Sequence, residues 1–194
     1  MSTARRSAVP LRIVVAEDEA IIRLDLVEML GEEGYDVVGE AGRGDEALTV
    51  IRSVNPDVVV LDVKMPGIDG LAVAAQIVEE NLCAVVILTA FSQRELIATA
   101  TDAGVLAYLV KPFQKPELIA AIEVAHARHR ERLTLRREVA GLEDRLETRK
   151  LLDRAKARLV AEGLSEQDAF ESIQRRAMDA RTTMKAIAEA ILGA

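Results

Sequence analysis

The sequence predicts an α/β protein: a (βα)5 doubly wound parallel sheet followed by a long helix and a small three-helix all-α domain. Three observations carry this. Short β-branched apolar runs alternate five times with amphipathic helical stretches between Leu11 and about Lys115. The runs are continuously apolar, as in parallel strands buried on both faces. After Pro116 no glycine or proline interrupts a helix-favouring stretch until Gly141.

Strands are expected near 12–16, 36–40, 57–61, 84–88 and 106–110, with helices near 20–33, 44–53, 69–80, 93–103 and from 115 onward. Gly31 and Gly34 close the first helix, Asn55-Pro56 precedes the third strand, and Pro66-Gly67 opens the loop after it. Four strands run into chemically loaded residues: Glu17-Asp18, Asp62, Thr89 and Lys111. In such sheets ligands sit beyond the carboxyl ends of the strands, where strand order reverses.

Three acids in one pocket repel one another unless a cation compensates them, and hard oxygen donors of this kind suit Mg2+. Asp62 is the candidate nucleophile, able to form an acyl phosphate. Lys111 would pair with the phosphoryl group and the Thr89 hydroxyl would hydrogen-bond it. The bland alternative is a row of acids that merely cap strand ends in solvent. No P-loop or glycine-rich nucleotide fingerprint is present.

Hydrophobic residues make up 50% of the 194 and aromatics only 3%, with no Trp, so the core is aliphatic and any nucleic-acid surface works largely without stacking rings. Cys83 is the single cysteine, which excludes an internal disulfide, argues against a cysteine zinc site and suggests a reducing compartment. Residues 1–10 read as a flexible N-terminus without a signal peptide's apolar core. With no apolar stretch of spanning length, the expectation is a cytoplasmic protein without a membrane partner. Charge is asymmetric: residues 1–120 carry a net −9 and residues 121–194 a net +2.

Beyond residue 125 the helix continues through a charged stretch holding His126 and His129, read as a solvated face rather than a metal site. Leu135, Val139, Leu142 and Leu146 then recur at spacings of 4, 3 and 4, which suits a two-stranded coiled coil or packing onto the chain's own helices. Three helices follow: one ending at Ala161 before Gly163, one from Glu166 to Asp179 capped by Ser165, and one from Thr183 to Leu192 capped by Thr182. Their core candidates are Leu152, Ala155, Leu159, Ala169, Phe170, Ile173, Ala177, Met184, Ile187, Ala188 and Ile191. That leaves Arg149, Lys150, Arg154, Lys156, Arg158, Arg175, Arg176, Arg181 and Lys185 as a cationic shell, either simply solvated or facing phosphates.

Glu17-Asp18, Asp62 within LDVKMPGIDG, Thr89-Ala90 and Lys111-Pro112-Phe113 together resemble the receiver domain of two-component response regulators, a flavodoxin-like fold. The resemblance implies phosphorylation of Asp62 by a sensor histidine kinase. It also implies Mg2+ held by Asp18, Asp62, the backbone carbonyl of Lys64 and, through water, Glu17, with a cis Lys111–Pro112 bond. Glu17 stands where many receivers have Asp. Tyr108 occupies the place of an aromatic switch that follows Thr89 inward; a purely core tyrosine is the other reading.

The tail, RKLLDRAKARLV and SEQDAFESIQRRAMDARTTMKAIAEAIL, resembles the ANTAR domain of AmiR/NasR-type antitermination regulators, with Ala157-Arg158 where Gly-Leu is common. The order of domains most resembles actinobacterial PdtaR-type regulators. This divides the chain into a receiver at 11–125, a helical or coiled-coil linker at 126–147 and an ANTAR domain at 148–194. It implies an output that binds stem-loop RNA and controls transcription termination, with a homodimer promoted by phosphorylation or RNA. Phe170 is the tail's only aromatic and is assigned to its core, so RNA would be read by shape and phosphates. Two alternatives stand beside this: a DNA-binding response regulator, with Asp179-Ala180-Arg181 imitating a recognition turn, and an enzyme acting on phosphate esters at the acidic site. No substrate pocket or lid is legible, so no turnover beyond slow self-dephosphorylation is expected.

Overall fold

The computed structural model describes residues 9–90 and 107–193. Its elements are β1 (Arg12–Ala16), α1 (Ala20–Glu32), β2 (Asp36–Ala41), α2 (Gly44–Val54), β3 (Val58–Asp62), α3 (Gly70–Glu80), β4 (Ala84–Ala90), β5 (Ala107–Lys111), α4 (Lys115–Ala161), α5 (Glu166–Asp179) and α6 (Met184–Leu192). The helix expected near 93–103 lies outside the described residues. The chain divides into two compact units at Arg132/Leu133, and α4 contributes residues to both.

In the first unit the five strands pair in parallel in the order β2-β1-β3-β4-β5. Side chains alternate across a strand, so two cores form. Val14, Ala16, Val59, Leu61, Val85 and Ile87 pack with Leu48 and Ile51 of α2 and with Val73 and Ile77 of α3. Ile13, Val15, Val58, Val60, Val86 and Leu88 pack on the other face, with Leu26 and Leu30 of α1 and with Leu118 and Ile122 of α4. Continuous Val/Ile/Leu runs are thus required by burial on both faces.

Two close approaches hold the loops around the site. A Cβ on Gly44 would lie 1.9 Å from the Ile68 carbonyl oxygen, and one on Gly70 would lie 2.0 Å from that of Asp62. Only glycine fits either place, and the Gly44 N–H donates to Pro66 O at 3.1 Å, joining the start of α2 to the loop after β3.

The stripe Leu118, Ile122, Ala125 continues one turn further to His129, which is buried with its Nδ1 3.3 Å from Arg132 Nη2. His129 therefore departs from the solvated face expected of it: spacing of four and three residues keeps it on the packed side of α4.

The second unit is held by Ala155 and Leu159 of α4, Ala169 and Ile173 of α5 and Ala188 of α6, with Leu152, Met184, Ile187 and Ile191 packed around them. Alanines at the contacts let the helices approach closely. Gly163 takes φ +106, and the Ser165 hydroxyl accepts from the Asp168 N–H at 3.1 Å to start α5. The cap of α6 is Thr183, not Thr182. The Thr182 N–H closes α5 by donating to Ala177 O at 2.9 Å, and it is the Thr183 hydroxyl that accepts from the Ala186 N–H at 3.2 Å.

Phe170 does not join the core; it is 43% exposed. The buried positions of α5 are Ala169, Ile173 and Ala177, a stripe repeating every four residues, and the residue beside it turns about 100° away. Leu135, Val139, Leu142 and Leu146 are exposed as well, Leu142 at 62%, so they are not packed against the described helices.

Candidate functional site

The site is set by strand register. Ala16 pairs with Leu61, which puts Glu17 and Asp62 level at the ends of β1 and β3. Asp62 pairs with Leu88 and Thr89 with Val110, so Thr89 lies one residue beyond Asp62 and Lys111 one beyond Thr89. The strand ends step outward rather than aligning, and the long lysine arm closes the gap.

Lys111 Nζ stands 2.6 Å from Glu17 Oε2 and 2.8 Å from Asp62 Oδ1. The other oxygen of Asp62 accepts the Lys64 N–H at 2.8 Å. Both carboxylate oxygens are thus oriented. Glu17 and Asp62 are buried and Asp18 is exposed, and ligand oxygens of all three lie within 4.8 Å of one another. Thr89 is buried behind them, its hydroxyl donating to Ala90 O at 3.2 Å. The Lys111–Pro112 peptide is cis.

Electrostatics follow from burial. Desolvation holds the Glu17 carboxyl above the usual carboxylate range; the Lys111 hydrogen bond opposes this and the Asp62 charge reinforces it. Burial pulls the Lys111 ammonium down, but hydrogen bonds to Asp62 and Glu17 outweigh it and leave the group raised. One ammonium, paired with Glu17 and Asp62, stands against a cluster of three acids and leaves uncompensated negative charge, which is the condition a divalent cation relieves. The geometry can therefore hold a hard cation beside a fixed carboxylate and an ammonium.

Arg23 is a supporting residue that sequence reasoning passed over. Its Nη1 donates to the backbone carbonyl of Glu17 at 2.6 Å and its Nε lies 3.4 Å from Glu40 Oε2, fixing the turn between β1 and α1. The available signal was an arginine in the first turn of a helix that starts directly after the acidic pair. Tyr108 is 51% exposed, which overturns the purely core reading.

Residues 13–123 match the family description "Response regulator receiver domain" and residues 140–192 match "ANTAR domain". The chain belongs to the response regulators. This response regulator is 55% identical over 192 residues to "Transcriptional regulatory protein PdtaR" of Mycobacterium tuberculosis, covering 98% of this chain and 94% of that protein. Its first unit is also similar to "Chemotaxis protein CheY" of Thermotoga maritima, at 30% identity over 57% of this chain and 93% of that one. Among solved structures, the signal receiver domain of the putative response regulator NarL from Mycobacterium tuberculosis superposes with a TM-score of 0.58 at 32% identity, covering 61% of this chain and 97% of that one.

In the second unit of this response regulator the nine basic candidates separate into two groups. Lys185 lies between Asp144 Oδ1 at 2.9 Å and Glu147 Oε2 at 2.6 Å, and these anions raise its ammonium. Lys156 pairs with Asp153 at 3.0 Å and Arg158 with Glu162 at 3.5 Å. Arg149, Lys150, Arg154, Arg175, Arg176 and Arg181 are exposed and make no ion pair among the described residues. No described helix is long and apolar enough to cross a membrane.

Proposed function

We propose that this response regulator takes a phosphoryl group on Asp62 from a sensor histidine kinase and that its ANTAR unit then binds stem-loop RNA to control transcription termination. The observation that carries the first half is the Asp62 carboxylate, oriented by Lys111 and the Lys64 N–H beside Glu17 and Asp18. An Asp62 oxygen attacks phosphorus, the kinase's N–P bond breaks and an acyl phosphate forms. Glu17, Asp18, Asp62 and the backbone carbonyl of Lys64 would hold Mg2+, which supplies charge neutralisation for the incoming phosphoryl group. Lys111 then transfers its pairing to a phosphoryl oxygen and Thr89 donates to another, with Tyr108 following Thr89 inward.

The second half is supported by the ANTAR match and by the six exposed basic candidates that make no ion pair among the described residues. A duplex-DNA output is not favoured by that match. The protein acts as a regulator and turns over no substrate beyond slow hydrolysis of its own acyl phosphate. Meeting nascent transcripts places it in the cytoplasm. Residues 126–147 serve as a linker whose exposed apolar stripe pairs two copies. A change in that pairing is the route from Asp62 to RNA.

Incubation with acetyl phosphate and Mg2+, read by intact mass, tests the site. The wild type is expected to gain one phosphoryl group and Asp62→Asn none; equal labelling of both would place the acceptor elsewhere.

A further inference from the structure

In the second unit, α4 and α5 border a groove of about 500 Å³ whose walls include Arg145, Arg149, Leu152, Asp153, Lys156 and Phe170. That volume falls in the range of roughly 300–1,000 Å³ typical of small-molecule clefts. Arg145, Arg149, Leu152 and Lys156 are spaced 4, 3 and 4 along α4, so they present one helix face. The half-exposed Phe170 ring borders this face from α5 and is not spent on the core, which runs through Ala169, Ile173 and Ala177.

Charge in the groove is unevenly compensated. Asp153 is engaged by Lys156 and Asp144, also on the wall, by Lys185. Arg145 and Arg149 make no ion pair among the described residues. An aromatic face with an apolar neighbour, flanked by two free guanidiniums, suits a planar ring joined to phosphates. Bases within a stem are already stacked on both sides, so only an unpaired loop or bulge base can use such a face.

We propose that this groove receives one unpaired nucleobase of an RNA loop, stacked on Phe170 and Leu152, with its flanking phosphates on Arg145 and Arg149. The inference rests on the RNA reading above and names a subsite for it. It also replaces the expectation that the tail reads RNA without a stacking ring.

The test uses the full chain and a set of RNA hairpins that share one stem, differ in loop sequence and carry 2-aminopurine at successive loop positions. A blunt RNA duplex of the same stem and single-stranded DNA of the loop sequence are the controls. The wild type is expected to prefer hairpins to both controls and to quench 2-aminopurine at one loop position. Phe170→Leu, outside the buried stripe, is expected to bind about tenfold more weakly and lose the quench, while Phe170→Tyr keeps both. Arg149→Gln is expected to weaken all hairpins and lower the salt slope by about one. Hairpin affinity of Phe170→Leu within twofold of wild type, with the quench intact, would overturn the subsite alone. No wild-type binding to any hairpin would overturn the RNA reading and the subsite with it.

Discussion

Asp62, Lys111 and Glu17 show how little side-chain chemistry is needed once register fixes the atoms: two strands end level, and one flexible lysine reaches back across two outward steps. Cys83 is the contrasting case, a buried thiol that burial first and the Asp57 charge second push up to about 12. Above about pH 9 the unfolded thiol ionises while the folded one keeps its proton, so stability falls as pH rises toward 12. Comparing pH-dependent melts of the wild type and Cys83→Ala should show a shallower alkaline decline in the variant. Native protein should also resist iodoacetamide until it is unfolded; rapid labelling of the folded chain would contradict the burial. Lys185 makes a different point. Two acids of α4 hold it, so Lys185→Ala should loosen the second unit's melt more than it weakens RNA binding, whereas Arg175→Ala should do the reverse.

Elements with strong periodicity are legible in the sequence. The three inner strands β1, β3 and β4 follow from runs that must be apolar on both faces, while the edge strands β2 and β5 are only half-buried; the strand ends point to Glu17, Asp18, Asp62, Thr89 and Lys111. The sequence does not display stagger or closure. Whether Phe170 lies in or beside a buried stripe is a 100° question on a helix of small residues, and whether Thr182 or Thr183 caps α6 depends on how the preceding helix ends. Partners such as Glu147 for Lys185 join separate helices, and no spacing rule connects them. Glycine roles became physical only with neighbours in place. Gly70→Ala sets a methyl against the Asp62 carbonyl, a backbone atom that must shift, so it should cost about 1–3 kcal/mol in denaturant unfolding and weaken Mg2+ binding. An unchanged midpoint would show that the loop yields freely.

At the scale of the whole molecule, two units divide the labour in the proposed reading, an acidic one that accepts a phosphoryl group and a near-neutral, arginine-rich one that meets RNA. The stripe Leu135, Val139, Leu142, Leu146 of the second unit is exposed, and in the reading proposed above it pairs with a second copy. Leu142→Glu should shift sedimentation toward the monomer and reduce RNA affinity without altering phosphorylation of Asp62. The central claim is that charge at Asp62 governs RNA binding, and titrating a hairpin RNA with and without beryllofluoride and Mg2+ tests it most directly. The account expects tighter binding with the phosphoryl analogue in the wild type and no change in Asp62→Asn; equal affinities in both states of the wild type would contradict it.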